Sequence, residues 1–281
     1  MTGANGQLGR ALVEAVEEAG HDAIALTRDQ LNLEREGVEK IVADLEVDWI
    51  AHCAAYTAVD RAEEEPERAR RINVSASAAI ARGAARSGSR LLYVSTDYVF
   101  DGAADRPYSV DAATGAINVY GATKREGEEV ISQLHEGALI VRTSWLMGGE
   151  TPNFAATMMR LGRTREELHV VSDQTGRPTW VFHLAPALVE LMVKGAQGVL
   201  HVANEGQATW HEVAELLFTQ AQAQGEDLGS LDLRPTSTER YGAPARRPAY
   251  SVLDLSRARD VYGVSLPDWR LGLPHAVENC R

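Results

Sequence analysis

Gly3-Ala-Asn-Gly6-Gln-Leu-Gly9-Arg-Ala-Leu12-Val13-Glu-Ala-Val16-Glu-Glu-Ala19-Gly20 is the stretch that decides the fold. Its first three glycines are spaced three and three. Leu12, Val13, Val16 and Ala19 then recur at helical period, and Gly20-His21 closes the helix. Glycine permits a tight turn and lets backbone N–H groups approach a pyrophosphate at a helix N-terminus. The alternative for such a run alone is a glycine-rich surface turn, so the rest of the chain has to decide.

Downstream, Asp22–Thr27, Asp48–Ala55, Arg90–Ser95 and Ala138–Ser144 read as apolar strands. The stretches 34–45, 66–87 and 119–136 read as helices between them. This alternation predicts an α/β fold, a Rossmann-type doubly wound parallel sheet. Past Trp145 the alternation breaks. Helices are expected over 153–161 and 209–224, and a short strand over 168–171. A polar loop is expected over 172–179, and residues 198–204 are expected back in the sheet. Arg234 to Arg247, edged by Pro235, Pro244 and Pro248, has no period and reads as a substrate-facing loop. A dinucleotide fold carries an apolar strand before its first glycine, yet only Met1 and Thr2 precede Gly3. The expectation is therefore that the natural chain starts several residues upstream, with a β-type stretch running into Thr2.

Composition narrows the function classes. The 281 residues are 44% apolar and 24% charged, ordinary for a globular chain. No apolar run approaches a membrane span and no signal-peptide pattern opens the chain, which leads to the expectation of a cytoplasmic protein without a membrane partner. Cys53 and Cys280 cannot form a disulfide framework. The eight histidines lack ligand spacing, so no protein-bound catalytic metal is expected. A net charge of −12 argues against nucleic acid as a partner.

The chemistry sits in Ser95-Thr96-Asp-Tyr98 and Val-Tyr120-Gly-Ala-Thr-Lys124. A gap of four puts Tyr120 and Lys124 on one helix face. An ammonium beside a phenol lowers the phenol's pKa and fits it to protonate a carbonyl that receives a hydride. Thr96, at a strand end, can hold the same carbonyl oxygen. These residues read as those of a ketone reductase or alcohol dehydrogenase. Asp29, about twenty residues past the glycines, suits a ribose 2′-hydroxyl and NADH. Arg28 beside it suits a 2′-phosphate and NADPH, and the choice stays open. Glu63-Glu64-Glu65 reads as a solvated helix start.

These motifs, with Ala54–Asp60, Arg142–Trp145, Asp173–Thr179, Pro244–Pro248 and Leu266–Trp269, resemble the dTDP-4-dehydrorhamnose reductases over nearly the whole chain. These are extended short-chain dehydrogenase/reductases. The resemblance implies reduction at C4 of a dTDP-6-deoxy-4-ketohexose by NADPH or NADH, giving dTDP-L-rhamnose. It implies Thr96, Tyr120 and Lys124 as the catalytic set, with Lys124 also on the ribose hydroxyls. Gly3, Gly6, Gln7, Leu8, Ala54 and Ala55 would line the cofactor, with Arg28, Asn32 and Leu33 at its adenosine end. Asn32 stands where the family carries an aspartate. Thr57, Val59, Tyr98 and Trp145 would face the sugar, with core packing as the alternative for Val59 and Trp145. Asn153 would donate to the nucleotide diphosphate or serve as an N-cap. Arg246 and Arg247 would clamp that diphosphate or stand as a solvated basic pair. The cofactor-binding part would be residues 1–144 and about 180–204. A smaller C-terminal mixed α/β substrate domain would take about 145–179 and 205–281. The resemblance also implies a homodimer with magnesium at an oligomer interface, to which no residue is assigned. Competing readings are a non-catalytic NADP-binding regulatory subunit of the same family and a reductase of another nucleotide 4-keto-6-deoxysugar.

Overall fold

Four parallel strands carry the computed structural model, which describes residues 1–149 and 151–280. They are β1 (Trp49–His52), β2 (Arg90–Thr96), β3 (Leu139–Thr143) and β4 (Gly198–His201), adjacent in that order. Thr2 extends the sheet beyond β1, with parallel bridges to His52 on one side and Leu26 on the other. The spatial order is therefore Leu26, Thr2, β1, β2, β3, β4. The winding direction reverses between Thr2 and β1, which is where a doubly wound sheet opens a ligand crevice.

Alternate side chains of each strand feed two cores. Ala51, Leu92, Leu139 and Val141 pack with Leu8 and Leu12 of helix α1 (Gln7–Glu18) and with Leu184 and Leu188 of a later helix, Val181–Val193. Ile50, Leu91, Tyr93 and Ile140 pack on the other face. There they meet Ile80 of α2 (Ala76–Ser87) and Ile131 of α3 (Val119–Leu134). A strand covered on both faces has no polar side, which is why these strands read as unbroken apolar runs. Arg142 of β3 donates to Glu128 of α3 at 2.9 and 2.6 Å, a buried bidentate pair that pins α3 to the sheet.

A separate core gathers Trp145, Met158, Met159, Trp180, Leu217, Phe218 and Trp269. It is built from helices Phe154–Gly162, Trp210–Ala223 and Leu273–Glu278. Thr209 and Glu212 close the start of the middle one with a reciprocal capping box. Strand Glu167–Val171 pairs in parallel with Asp232–Thr236 beside it.

Several expected elements differ. Asp22–Thr27 is not a full strand: it bridges Thr2 at Leu26, and its Ile24 carbonyl accepts from the Met1 ammonium at 2.6 Å. The helix expected over 34–45 shrinks to Val38–Ala43, since Gly37 before it is left-handed at φ 90°. The helix expected over 66–87 contains a π turn at Arg71–Ser75. Residues 234–247 are not all loop: they carry the end of strand Asp232–Thr236 and a short helix, Thr238–Tyr241. Pro235 is tolerated there because that strand has a partner on one side only. Glu63-Glu64-Glu65 is not merely solvated. Glu63 accepts from the Val119 amide at 2.8 Å, and Glu65 binds Arg61, Arg68 and the Tyr56 hydroxyl.

The glycine turn has little room. A Cβ on Gly9 would lie 2.1 Å from the Gly3 carbonyl oxygen. Gly9→Ala is expected to lose about 1–3 kcal/mol or more of stability, because the obstructing atom is backbone and cannot swing aside. Urea unfolding checks this, and a variant as stable as the parent would show that the turn relaxes freely.

Candidate active site

A cleft of about 740 Å³ opens at the reversal point, along the C-terminal ends of the strands. Its floor is the turn from Gly3 to Gly9. Gly3 sits at φ +69°, and a Cβ there would come within 2.8 Å of the Ala54 backbone. The backbone past Thr2 and the backbone past β1 thus touch at Gly3. α1 starts at Gln7 with Gly6 as its N-cap, so its first-turn amides point into the cleft mouth. This is a cradle shaped for a pyrophosphate. Ala54, Ala55, Gln7 and Leu8 line it too, and Arg28, Asn32 and Leu33 line its far end, whereas Asp29 does not.

The other wall carries the reactive groups. Thr96 ends β2, where its hydroxyl donates to Asp97 at 3.1 Å and accepts from the Tyr98 amide at 3.2 Å. α3 starts at its N-cap Asn118, whose side chain accepts from the Gly121 amide at 2.7 Å. Gly121 lets this helix come close: a Cβ there would lie 2.0 Å from the Tyr98 carbonyl oxygen. Tyr120 is thereby set edge-on to the Tyr98 ring at 5.8 Å. One turn on, the Lys124 ammonium donates to the Val94 carbonyl at 2.8 Å and lies 3.8 Å over the Tyr93 ring.

The electrostatics run against the expectation that Lys124 lowers the phenol's pKa. Burial pushes Tyr120 up to about 12, and contact with Thr96 only partly offsets this. The same burial pulls Lys124 down to about 7, with Glu128 opposing. The ammonium is aimed at Val94 and Tyr93, so desolvation dominates at both groups. Tyr120 is therefore held protonated near neutral pH, the form in which a phenol acts as an acid.

Of the sequence-derived residues, Gly3, Gly6, Gln7, Leu8, Arg28, Asn32, Leu33, Ala54, Ala55, Thr57, Val59, Thr96, Tyr98, Tyr120, Lys124 and Trp145 converge on this one cleft. Three are not among the lining residues, although Arg247 faces Tyr98 at the cleft's border. Asn153 is an N-cap: its carbonyl accepts from Ala156 at 3.1 Å and its amide donates to Thr151 at 2.9 Å, away from the cleft lining. Arg247 is held by Asp60 at 2.9 Å. The Arg246 side chain is exposed, while its carbonyl accepts from Asn118. Asn32 lies at the cleft, but its side-chain carbonyl is already engaged by the Glu34 amide at 2.9 Å, which leaves the amide nitrogen for an adenine. Arg28 donates to Glu34 on the same rim.

Sequence reading passed over other residues that shape the site. Asn73, in the π turn, accepts from the Tyr56 amide at 2.8 Å and donates to Thr123 at 3.0 Å, locking α3 to the loop after β1. Asp97 is buried, and that burial pushes its carboxyl up to about 7. Trp210 also lines the cleft. A helix-initiating Trp gives no local signal of a cleft, so only the assembled fold places it.

A family model, the RmlD substrate binding domain, matches residues 1–281. The chain is 39% identical to a dTDP-4-dehydrorhamnose reductase of Mycolicibacterium smegmatis, covering 99% of this chain and 84% of the relative. It is 37% identical to a dTDP-4-keto-6-deoxy-D-glucose reductase of Streptomyces niveus, covering 98% and 95%. The crystal structure of a dTDP-4-dehydrorhamnose reductase from Bacillus anthracis in complex with NADP superimposes with a TM-score of 0.92 at 38% identity, covering 98% and 96%. The cleft geometry and full-length similarity agree that this chain belongs to the dTDP-4-dehydrorhamnose reductase family.

Proposed function

We propose that this protein reduces the C4 ketone of dTDP-4-dehydrorhamnose to give dTDP-L-rhamnose, with NADPH as the donor. The observation that carries the reading is the half-buried Tyr120, one helical turn before Lys124, lining with Thr96 a cleft floored by a glycine cradle. The nicotinamide cofactor, when bound, supplies the hydride that goes to C4. Tyr120 gives its proton to O4 as the carbonyl π bond breaks, so the ketone becomes a secondary alcohol. The Thr96 hydroxyl turns its proton from Asp97 to O4 and holds that oxygen in line, and the Lys124 ammonium stabilises the phenolate left behind. Gly3, Gly6, Gln7 and Leu8 receive the pyrophosphate, and Ala54 and Ala55 flank the cofactor. Arg28 on the rim favours a 2′-phosphate and therefore NADPH over NADH.

Two separate cores support a division of labour. Residues 1–144 and about 180–204 would hold the cofactor, and about 145–179 and 205–281 the nucleotide sugar. Thr57, Val59, Tyr98 and Trp145 would meet the hexose. The test is turnover of dTDP- and UDP-linked 4-keto-6-deoxyhexoses with NADPH and with NADH, with product stereochemistry read by NMR. dTDP-L-rhamnose is the expected product. Turnover of dTDP-4-keto-6-deoxy-D-glucose in preference to dTDP-4-dehydrorhamnose would assign the alternative activity for which the Streptomyces niveus relative is named. No NADPH oxidation with any keto sugar would reject the enzymatic reading.

A further inference from the structure

Trp145 is the one non-glycine residue with positive φ among the described residues, at 47°. A bulky side chain in that region is strained by about 1–3 kcal/mol and persists only where its surroundings hold it. Three contacts do so. The Trp145 carbonyl accepts from the Thr179 amide at 3.1 Å. Gly176 lies against the indole so closely that a Cβ would sit 2.5 Å from a ring carbon. The third is Trp210, whose ring stacks on Trp145 at 3.6 Å with 6° between planes, backed in turn by Phe154 at 4.6 Å. The two-residue antiparallel pair of Thr175-Gly176 with Ala208-Thr209 runs directly into Trp210 and so ties Gly176 and Trp210 to one short sheet.

Both stacked indoles line the cleft. Trp145 stands two residues past Thr143, the direct register partner of Thr96. The stack therefore rises beside the oxygen-holding hydroxyl. In a 6-deoxy-4-ketohexose the carbon next to C4 on one side, C5, bears a methyl group, the one apolar substituent near the reacting carbonyl.

We propose that Trp210 is a specificity-determining residue: stacked behind Trp145, it holds a rigid aromatic wall against which the C6 methyl packs, so that the site selects 6-deoxy sugars over their 6-hydroxy counterparts. This rests on the nucleotide-sugar reading above. A C6 hydroxyl against the open face of this stack finds no partner for its donor or acceptor. A flat apolar wall discriminates against an added hydroxyl by about 10–100-fold.

The test measures binding of dTDP-L-rhamnose and dTDP-L-mannose, which differ only in the C6 hydroxyl, to the NADP-loaded protein by titration calorimetry. Parent, Trp210→Phe and Trp210→Ala are compared, with thermal melting and NADPH affinity as folding controls. The parent should prefer the deoxy sugar at least about tenfold. Trp210→Ala should reduce that ratio to about twofold or less with NADPH affinity unchanged, and Trp210→Phe should restore most of it. An unchanged ratio in a folded Trp210→Ala protein, or a parent that binds both sugars equally, overturns this inference alone. Should Trp210→Ala fail to fold, Trp210→Leu takes its place with the same expected loss of the ratio, and an unchanged ratio in that folded variant overturns the inference in the same way. Binding of neither sugar would remove this inference together with the reading it rests on.

Discussion

Replacing Tyr120 with Phe is expected to cut turnover of the keto sugar by about 10²–10⁴-fold, the contribution typical of one general acid. The ring stays, so its edge contact with Tyr98 and the wall of the cleft stay too. NADPH affinity should therefore remain near that of the parent, and the loss should fall on kcat. The physical basis is that burial holds the phenol protonated, with its pKa pushed up to about 12, so the proton is present when the carbonyl is reduced. Single-turnover kinetics with NADPH and dTDP-4-dehydrorhamnose check this. Near-parental turnover in Tyr120→Phe would mean that another group supplies the proton.

Lys124→Met should separate activity from stability. Turnover and NADPH affinity should both fall if, as proposed, the ammonium steadies the phenolate and meets the cofactor ribose. Stability at pH 7 should rise. The amine is pulled by burial from 10.5 down to about 7, so between those values the unfolded chain binds more protons than the folded one. Stability of the parent therefore climbs as pH rises from 7 towards 10.5, and near pH 7 the buried amine costs on the order of 4 kcal/mol. Methionine removes that cost but leaves the Val94 carbonyl without its 2.8 Å donor, a loss of about 1–3 kcal/mol. A net gain of about 2 kcal/mol, or a few degrees in Tm, is expected at pH 7. It should vanish near pH 10, where the parent folds with a neutral amine. Melting curves at both pH values decide the matter, and a variant less stable than the parent at pH 7 would show that the ammonium is well solvated in the fold. The activity of the parent should likewise decline as pH rises through 7, because the ammonium is the form that supports the phenolate.

The sequence by itself determined the α/β class, most of the parallel strands, and the residues that meet at the cleft. These are encoded locally: apolar runs covered on both faces, helical period after Gly9, and a gap of four from Tyr120 to Lys124. Sixteen of the nineteen named site residues reach one cleft: most sit at the C-terminal end of a strand or in the turn after it, where a doubly wound sheet gathers them, and Tyr120 and Lys124 come from the start of α3, which Gly121 lets close on Tyr98. The tertiary structure decided what depends on partners far apart in the chain. Asn153 and Arg247 look like phosphate ligands in sequence, and only the fold shows that Asn153 caps a helix and that Arg247 pairs with Asp60 at the border of the cleft. Trp210 gives no local sign of a cleft residue, and only the stack on Trp145 places it there. The sign of the Tyr120 shift could not be read from spacing, because desolvation is set by everything packed around a group, while spacing reports a single neighbour.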